Sequence, residues 1–229
     1  MSSKLPKEIL RTFLLLLVTI LLFSAPVYGA AIKTGQKLII LDPGHSKKER
    51  GLTTPMGSQE HQITAELAEL IAGKLNDSFR VLSTRRPDKT GPHSSIPPEE
   101  RAAFANKSRA DLFVSLHLHQ RSHKEAYIFF HESPPASAQE NLQAQNPATA
   151  SLSKKMAALA AGHLQEMPEV RTLVRPAPLV SLEDLLMPGI LVEPFSISLV
   201  PATAPDRADF LAQYAGAIAG AVREYFDNL

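Results

Sequence analysis

Hydrophobic and polar positions fall into runs that predict alternating strands and helices. Leu38 to Leu41 is an unbroken apolar run that ends in Asp42, Pro43, Gly44 and then His45. Such a run, stopped by turn formers, predicts a strand buried on both faces of a parallel or mixed sheet within Lys37–His45. Ala110 to His117 repeats the pattern, with Leu112, Phe113, Val114 and Leu116 leading to His117. Tyr127 to Phe130 reads as a further strand ending at His131, and Gly189 to Glu193 as a short buried strand closed by a carboxylate. Pro194 biases Glu193 toward an extended backbone. Phe79 to Thr84 is a weaker strand signal, with Val81 and Leu82 between polar neighbours.

Between these runs the period changes to that of helices. Ile63, Leu67, Leu70, Ile71 and Leu75 form one stripe, with Ser58 as the expected N-cap. Pro97 and Pro98 open a short helix containing Arg101, Phe104 and Asn106; prolines are tolerated where the first turn needs no amide proton. Ser151 to Leu164 is a helix with Leu152, Met156 and Leu159 inward, and His163 continues that stripe as a core or boundary residue. Asp206 to Phe226 is a long amphipathic helix through Leu211, Tyr214, Ile218, Val222 and Phe226. Polar loops are expected at Ser46–Gly57 and Arg85–Ser95, with a flexible excursion over Glu132–Ala150 and a proline-punctuated stretch before Gly189. The alternation defines an α/β fold, a single domain with a mixed, mostly parallel sheet flanked by helices.

Composition narrows the function. The 229 residues suffice for one full core, and 24 basic against 23 acidic side chains indicate no polyanion partner and no nucleic acid. Absence of cysteine removes disulfides and thiolate metal sites. Lys4, Lys7 and Arg11 precede an apolar run from Phe13 to Phe23, and Gly29, Ala30 and Ala31 offer a cleavage site. The run is shorter than the about 20 residues that span a bilayer. Residues 1–30 are therefore read as a signal peptide in preference to an uncleaved anchor, with residues 31–229 as the exported domain. After cleavage, 21 basic and 22 acidic residues remain.

Candidate chemistry gathers at strand ends. If the strands run parallel, His45, His117 and Glu193 meet on one rim, where open α/β sheets bind ligands. Glu60 lies in the first helical turn, where a carboxylate also has the plain role of complementing the helix dipole. Two imidazoles and a carboxylate are a usual shell for catalytic zinc. His45, Glu60 and His117 are accordingly assigned to one zinc ion, and Glu193 to proton transfer.

These residues carry a family resemblance. LIILDPGH, the helix start at Glu60, RADLFVSLH and GILVEPF resemble the zinc-dependent N-acetylmuramoyl-L-alanine amidases (the amidase type 3 catalytic domain, phosphorylase/hydrolase-like in fold) over about Lys37–Phe226. Thr84 with Arg85 and Asp88, Arg101 with Ala105 and Asn106, and the terminal AIAGAVREYF extend the match. The resemblance implies a zinc site of His45, Glu60 and His117, with Glu193 as the catalytic glutamate. Its substrate would be peptidoglycan, cut between the lactyl group of N-acetylmuramic acid and L-alanine in the periplasm or cell envelope during wall remodelling, daughter-cell separation or recycling. A zinc peptidase acting on the stem peptide and a non-catalytic peptidoglycan binder are the alternatives. Some relatives need a protein activator, and Glu132–Ala150 is where such control would sit. Ser46, Thr64, His119 and Pro194 depart from the family pattern; His119 is expected either to touch substrate or the zinc-bound water, or to serve structure alone.

Overall fold

A computed structural model describes residues 35–85, 97–121, 123–131 and 147–229. Six strands are present: β1 (Leu38–Pro43), β2 (Arg80–Ser83), β3 (Leu112–Leu116), β4 (Glu125–Phe130), β5 (Arg171–Pro176) and β6 (Gly189–Glu193). They form one sheet in the order β2-β1-β3-β6-β4-β5. The first four strands of that order are mutually parallel, β4 runs antiparallel to β6, and β5 is parallel to β4. This is the mixed, mostly parallel sheet that the sequence predicts. The central strands β1 and β3 are buried along their whole length, which matches their continuous apolar composition.

The helices are α1 (Glu60–Leu75), α2 (Pro98–Lys107), α3 (Pro147–Gln165), α4 (Val180–Glu183) and α5 (Ala204–Asp227). One face of the sheet packs against α1, α3 and α5 through Ile39, Leu41, Val114, Ile128, Ile190 and Val192. The opposite residues of the same strands, among them Leu38, Ile40, Phe113 and Leu191, pack on α2, α4 and the segment after it. Period-2 alternation along each strand thus splits the core into two clusters. Among the described residues no helix is long and apolar enough to cross a membrane.

The structure corrects the sequence reading in four places. The N-cap of α1 is Gln59, not Ser58; Gln59 N–H donates to Gln62 Oε1 at 3.1 Å, while Ser58 closes a turn by donating to Thr54 Oγ1 at 3.0 Å. Helix α3 begins four residues before Ser151, and its buried stripe runs through Ser153, Met156, Ala157, Ala160, Ala161 and Leu164, leaving Leu152 and Leu159 half-buried. Small alanines let α3 approach α5 closely, so the stripe is centred on them and not on the larger side chains. β5 lies in the proline-punctuated stretch: as an exposed edge strand with only two apolar residues, it carries no buried run to read, and its terminal proline is acceptable on an edge. The same stretch holds the single turn of α4. Residues 1–34, 86–96 and 132–146, with the expected signal peptide, Asp88 and most of the Glu132–Ala150 excursion, lie outside the described residues.

A buried hydroxyl joins α3 to β6. Ser153 Oγ accepts from Gly189 N–H at 3.1 Å and donates to Thr149 O at 3.0 Å. Ser153→Ala is expected to leave the Gly189 amide unpaired and to lower unfolding free energy by about 1–3 kcal/mol, read from urea titration.

Candidate metal centre

β1, β3 and β6 end side by side, so the residues that follow them share one rim. Gly44 N–H donates to Leu116 O at 2.8 Å, and His117 N–H donates to Val192 O at 2.9 Å, which sets His45, His117 and Glu193 in neighbouring positions. The fourth group arrives from α1. Glu60 is its first residue and is only 1 % exposed. Leu52 brackets it, accepting from Glu60 N–H at 2.8 Å and donating its own N–H to Glu60 Oε2 at 2.9 Å. Leu118 N–H donates to Oε1 at 2.8 Å.

Each carboxylate oxygen of Glu60 therefore has one lone pair on a backbone amide and faces one imidazole with the other. Oε2 lies 3.1 Å from His45 Nε2, and Oε1 lies 3.5 Å from His117 Nδ1. The imidazoles meet edge to face, with ring centroids 4.8 Å apart. One donor atom from each of the three residues falls within 4.8 Å of the others. Ligand atoms sharing a tetrahedral zinc stand about 3.4 Å apart, and the two carboxylate–imidazole separations lie close to that figure. Two imidazoles and a carboxylate pinned by backbone amides fit a divalent cation such as zinc.

Burial pushes the Glu60 carboxyl up, but hydrogen bonds from His117, His45 and Leu52 N–H outweigh it and hold the group well below the usual carboxylate range. Glu193 shows the opposite balance. Burial and the neighbouring Glu60 charge push its carboxyl up to about 7, against the attraction of Arg121.

Glycines give the cluster its room. A Cβ on Gly44 would stand 2.5 Å from His117 Cε1, and one on Gly51 would stand 2.5 Å from Glu60 Oε2 and 2.6 Å from the His45 ring. His45 itself has a φ of 63°, a left-handed conformation that costs a residue with a Cβ about 1–2 kcal/mol. Two guanidiniums hold this strained turn by its carbonyls. Arg85 Nη2 donates to Gly44 O at 2.8 Å and to His61 O at 2.9 Å, and Arg101 Nη2 donates to His45 O at 3.0 Å. Arg101 in turn lies 3.4 Å from the buried Asp42, which accepts from Thr84 Oγ1 at 2.6 Å and Ser115 Oγ at 2.8 Å. The sequence reading placed Thr84, Arg85 and Arg101 only as points of resemblance and did not see this clamp. The available signal was Arg101 beside Ala102 and Ala105, a charge on the inward face of a short helix.

His119 is built into the loop that leads to β4. Its Nδ1 accepts from Arg121 N–H at 3.1 Å, which leaves Nε2 to donate to Glu125 O at 2.8 Å, and the ring is 6 % exposed. Both ring nitrogens are engaged away from the cluster. Thr64 Oγ1 bonds Gly44 O at 3.1 Å and Glu60 O at 3.0 Å, tying α1 to the turn. His163 lies at the helix boundary, as expected, 2.8 Å from a Glu224 carboxylate oxygen.

An open pocket of about 280 Å³ reaches His45 and His117 from the α2 and α4 side, lined also by Asp42, Arg101, Leu179 and Leu191.

A rim of this kind, at the carboxyl ends of parallel strands in an α/β sheet, is where such folds place their ligand sites. The family profile described as N-acetylmuramoyl-L-alanine amidase matches residues 39–224, and the chain belongs to that family. A relative, the amidase AmiC of Escherichia coli O6:H1, is 32 % identical over 96 residues, covering 41 % of this chain and 22 % of its own length. The matched stretch thus spans about a fifth of that relative. Among solved structures, N-acetylmuramoyl-L-alanine amidase AmiC2 of Nostoc punctiforme superposes with a TM-score of 0.64 at 20 % identity, covering 84 % of this chain and 98 % of that one. The CwlD amidase of Clostridioides difficile, in complex with the GerS lipoprotein, gives 0.65 at 18 % identity, covering 84 % and 100 %. These two likenesses establish the fold.

Arg101→Lys should keep the charge beside Asp42 while losing the planar reach to His45 O. Zinc affinity, measured by competition with a chromophoric chelator, is expected to fall about tenfold or more.

Proposed function

We propose that this chain is an exported zinc-dependent amidase that hydrolyses the amide between N-acetylmuramic acid and L-alanine in peptidoglycan. The observation that supports this most is the cluster of His45, Glu60 and His117 within 4.8 Å, with Glu193 on the adjoining strand end, in a chain of the amidase family. His45, Glu60 and His117 would hold one zinc ion per chain. Bound there, zinc would supply Lewis-acid chemistry, polarising the scissile carbonyl and activating water.

The protein's own contribution is proton transfer and orientation. Glu193, with its carboxyl pushed up to about 7, exchanges a proton near neutral pH. It can take one from the attacking water and give it to the leaving amine. The amides of Leu52 and Leu118 fix Glu60, and the Arg85–Arg101 clamp fixes the backbone of His45, so the ligands need little rearrangement. Residues 1–30 would direct export and be removed, placing the domain in the periplasm or cell envelope. A protein activator is a further partner in this reading, as the CwlD structure contains a lipoprotein bound to an amidase.

Purified muropeptides incubated with the zinc-loaded chain, with and without chelator, decide the matter by mass spectrometry. New lactyl carboxylates that vanish on chelation support the amidase. A cut inside the stem peptide would make it a peptidase, and binding without a cut would make it a binder. Glu193→Gln is expected to reduce turnover at least about a hundredfold while zinc content stays at one per chain.

Glu193 also gives a stability signature in metal-free protein. Its carboxyl binds a proton more tightly in the folded chain, about 7 against an ordinary 4.5. The resulting stabilisation is complete below pH 4.5 and is lost as pH rises through 7. Glu193→Gln should therefore match wild type at pH 4.5 and exceed it by about 2 kcal/mol at pH 8 in denaturant titrations with chelator present.

A further inference from the structure

The helices that cover the α2 and α4 face of the sheet stop short of its β4–β5 end. There the residues facing outward change from apolar to charged. Register pairs Glu125 with Arg171, Tyr127 with Leu173 and Phe129 with Arg175, so these six side chains share one face. A cavity of about 650 Å³ opens over Glu125, Tyr127, Arg171, Leu173 and Arg175, and Arg121 and His123 from the loop before β4 complete its wall.

The cavity is strongly cationic and partly built. Arg121 Nη1 donates to Tyr127 Oη at 2.8 Å, and its guanidinium lies 4.6 Å over the Tyr127 ring. Tyr127 O–H donates to Glu125, whose other oxygen lies 3.7 Å from Arg171. Glu125 is thus the one carboxylate of the lining and is already engaged, while three guanidiniums leave a surplus of two positive charges. Among the described residues Arg175 has no ion-pair partner. In a chain whose formal charge is only +1, that surplus is a local construction.

Its position relates it to the metal centre. Tyr127 pairs directly with Glu193 across β4 and β6, and directly opposed residues put their side chains on the same face about 5 Å apart. The cationic cavity therefore begins one strand away from the proposed proton-transfer group. Arginines on an edge strand also discourage sheet-to-sheet pairing, which would account for Arg171 and Arg175. It does not account for Arg121, which comes from a loop and is fastened onto Tyr127 facing the same cavity.

We infer that this cavity is a subsite for the free carboxylates of the substrate's peptide, bound by Arg121, Arg171 and Arg175 while the scissile amide lies at the His45–Glu60–His117 cluster. The inference rests on the amidase reading, in which the leaving group is a peptide bearing acidic side chains and an acidic terminus. Guanidinium groups suit it because they bind carboxylates through paired, charge-assisted hydrogen bonds.

The test uses the zinc-loaded full chain and two muropeptides that differ only in amidation of the peptide carboxylates. Wild type should favour the free acid by about tenfold in kcat/KM, mostly through KM, and Arg175→Glu should bring that ratio to about one. Arg175→Gln should lie between. A wild-type ratio near one, or the same ratio in wild type and Arg175→Glu, would overturn the inference. In parallel, the acidic stem tripeptide is titrated by calorimetry into metal-free protein, where Arg175→Glu should weaken its Kd about tenfold. Tripeptide binding that responds to Arg175→Glu without cleavage of either muropeptide would keep the subsite and defeat the amidase reading. Displacement of the tripeptide by a lower concentration of inorganic polyphosphate would defeat the assignment to carboxylates.

Discussion

A single buried carboxylate sets the terms for the rest of this protein. Glu60 is 1 % exposed, and a charge so placed costs several kcal/mol unless its lone pairs are met. Two backbone amides meet one pair each, and two imidazoles face what is left. Hydrogen bonding outweighs burial, so the group stays ionised between the two imidazoles. The same charge acts outward, since it helps raise Glu193 toward neutrality. One negative charge thus acts on both imidazoles and on Glu193 together. Removing it would leave two imidazoles without their partner and take away the smaller of the two causes that raise Glu193, burial being the larger.

The reversal of β4 decides what surrounds that charge. With β1, β3 and β6 parallel, their carboxyl ends define the rim; an antiparallel β4 brings its amino end there too, and β5 follows β4. His123, Lys124 and the start of β5 are therefore carried to the same edge as the His45–Glu60–His117 cluster. An all-parallel sheet would place those residues at the far end. A cationic cavity beside Glu193 is thus a consequence of topology as much as of composition.

Strand ends were legible because a continuous apolar run has few places to go. β6 was read at its observed bounds, and β1 and β3 within two residues at either end, which carried His45, His117 and Glu193 to one rim. Glu60 was assigned with them but was the least legible of the four, since a first-turn carboxylate is also at home beside a helix dipole. The reading lost what tertiary context decides. β5 and α4 bury too little to leave a pattern, and the cap of α1 moved to Gln59 because Ser58 is spent on a turn with Thr54. The Asp42–Arg101–Arg85 clamp joins residues 42, 85 and 101, a pairing no periodicity records.

Ser46, Thr64 and His119, three of the departures from the family pattern, each make local hydrogen bonds in this structure. Ser46 Oγ accepts from the amides of Lys48 and Glu49, turning the charged loop back toward Gly51. Thr64 ties the first turn of α1 to Gly44 O, the carbonyl that Arg85 also holds. His119 spends both ring nitrogens on Arg121 and Glu125, which shapes the loop that presents Arg121 over Tyr127. A histidine drawn so fully into the backbone has no lone pair left for the His45–Glu60–His117 cluster. Its reach toward Glu193 runs through the placement of Arg121, whose charge is the one opposing the upward push on that carboxyl.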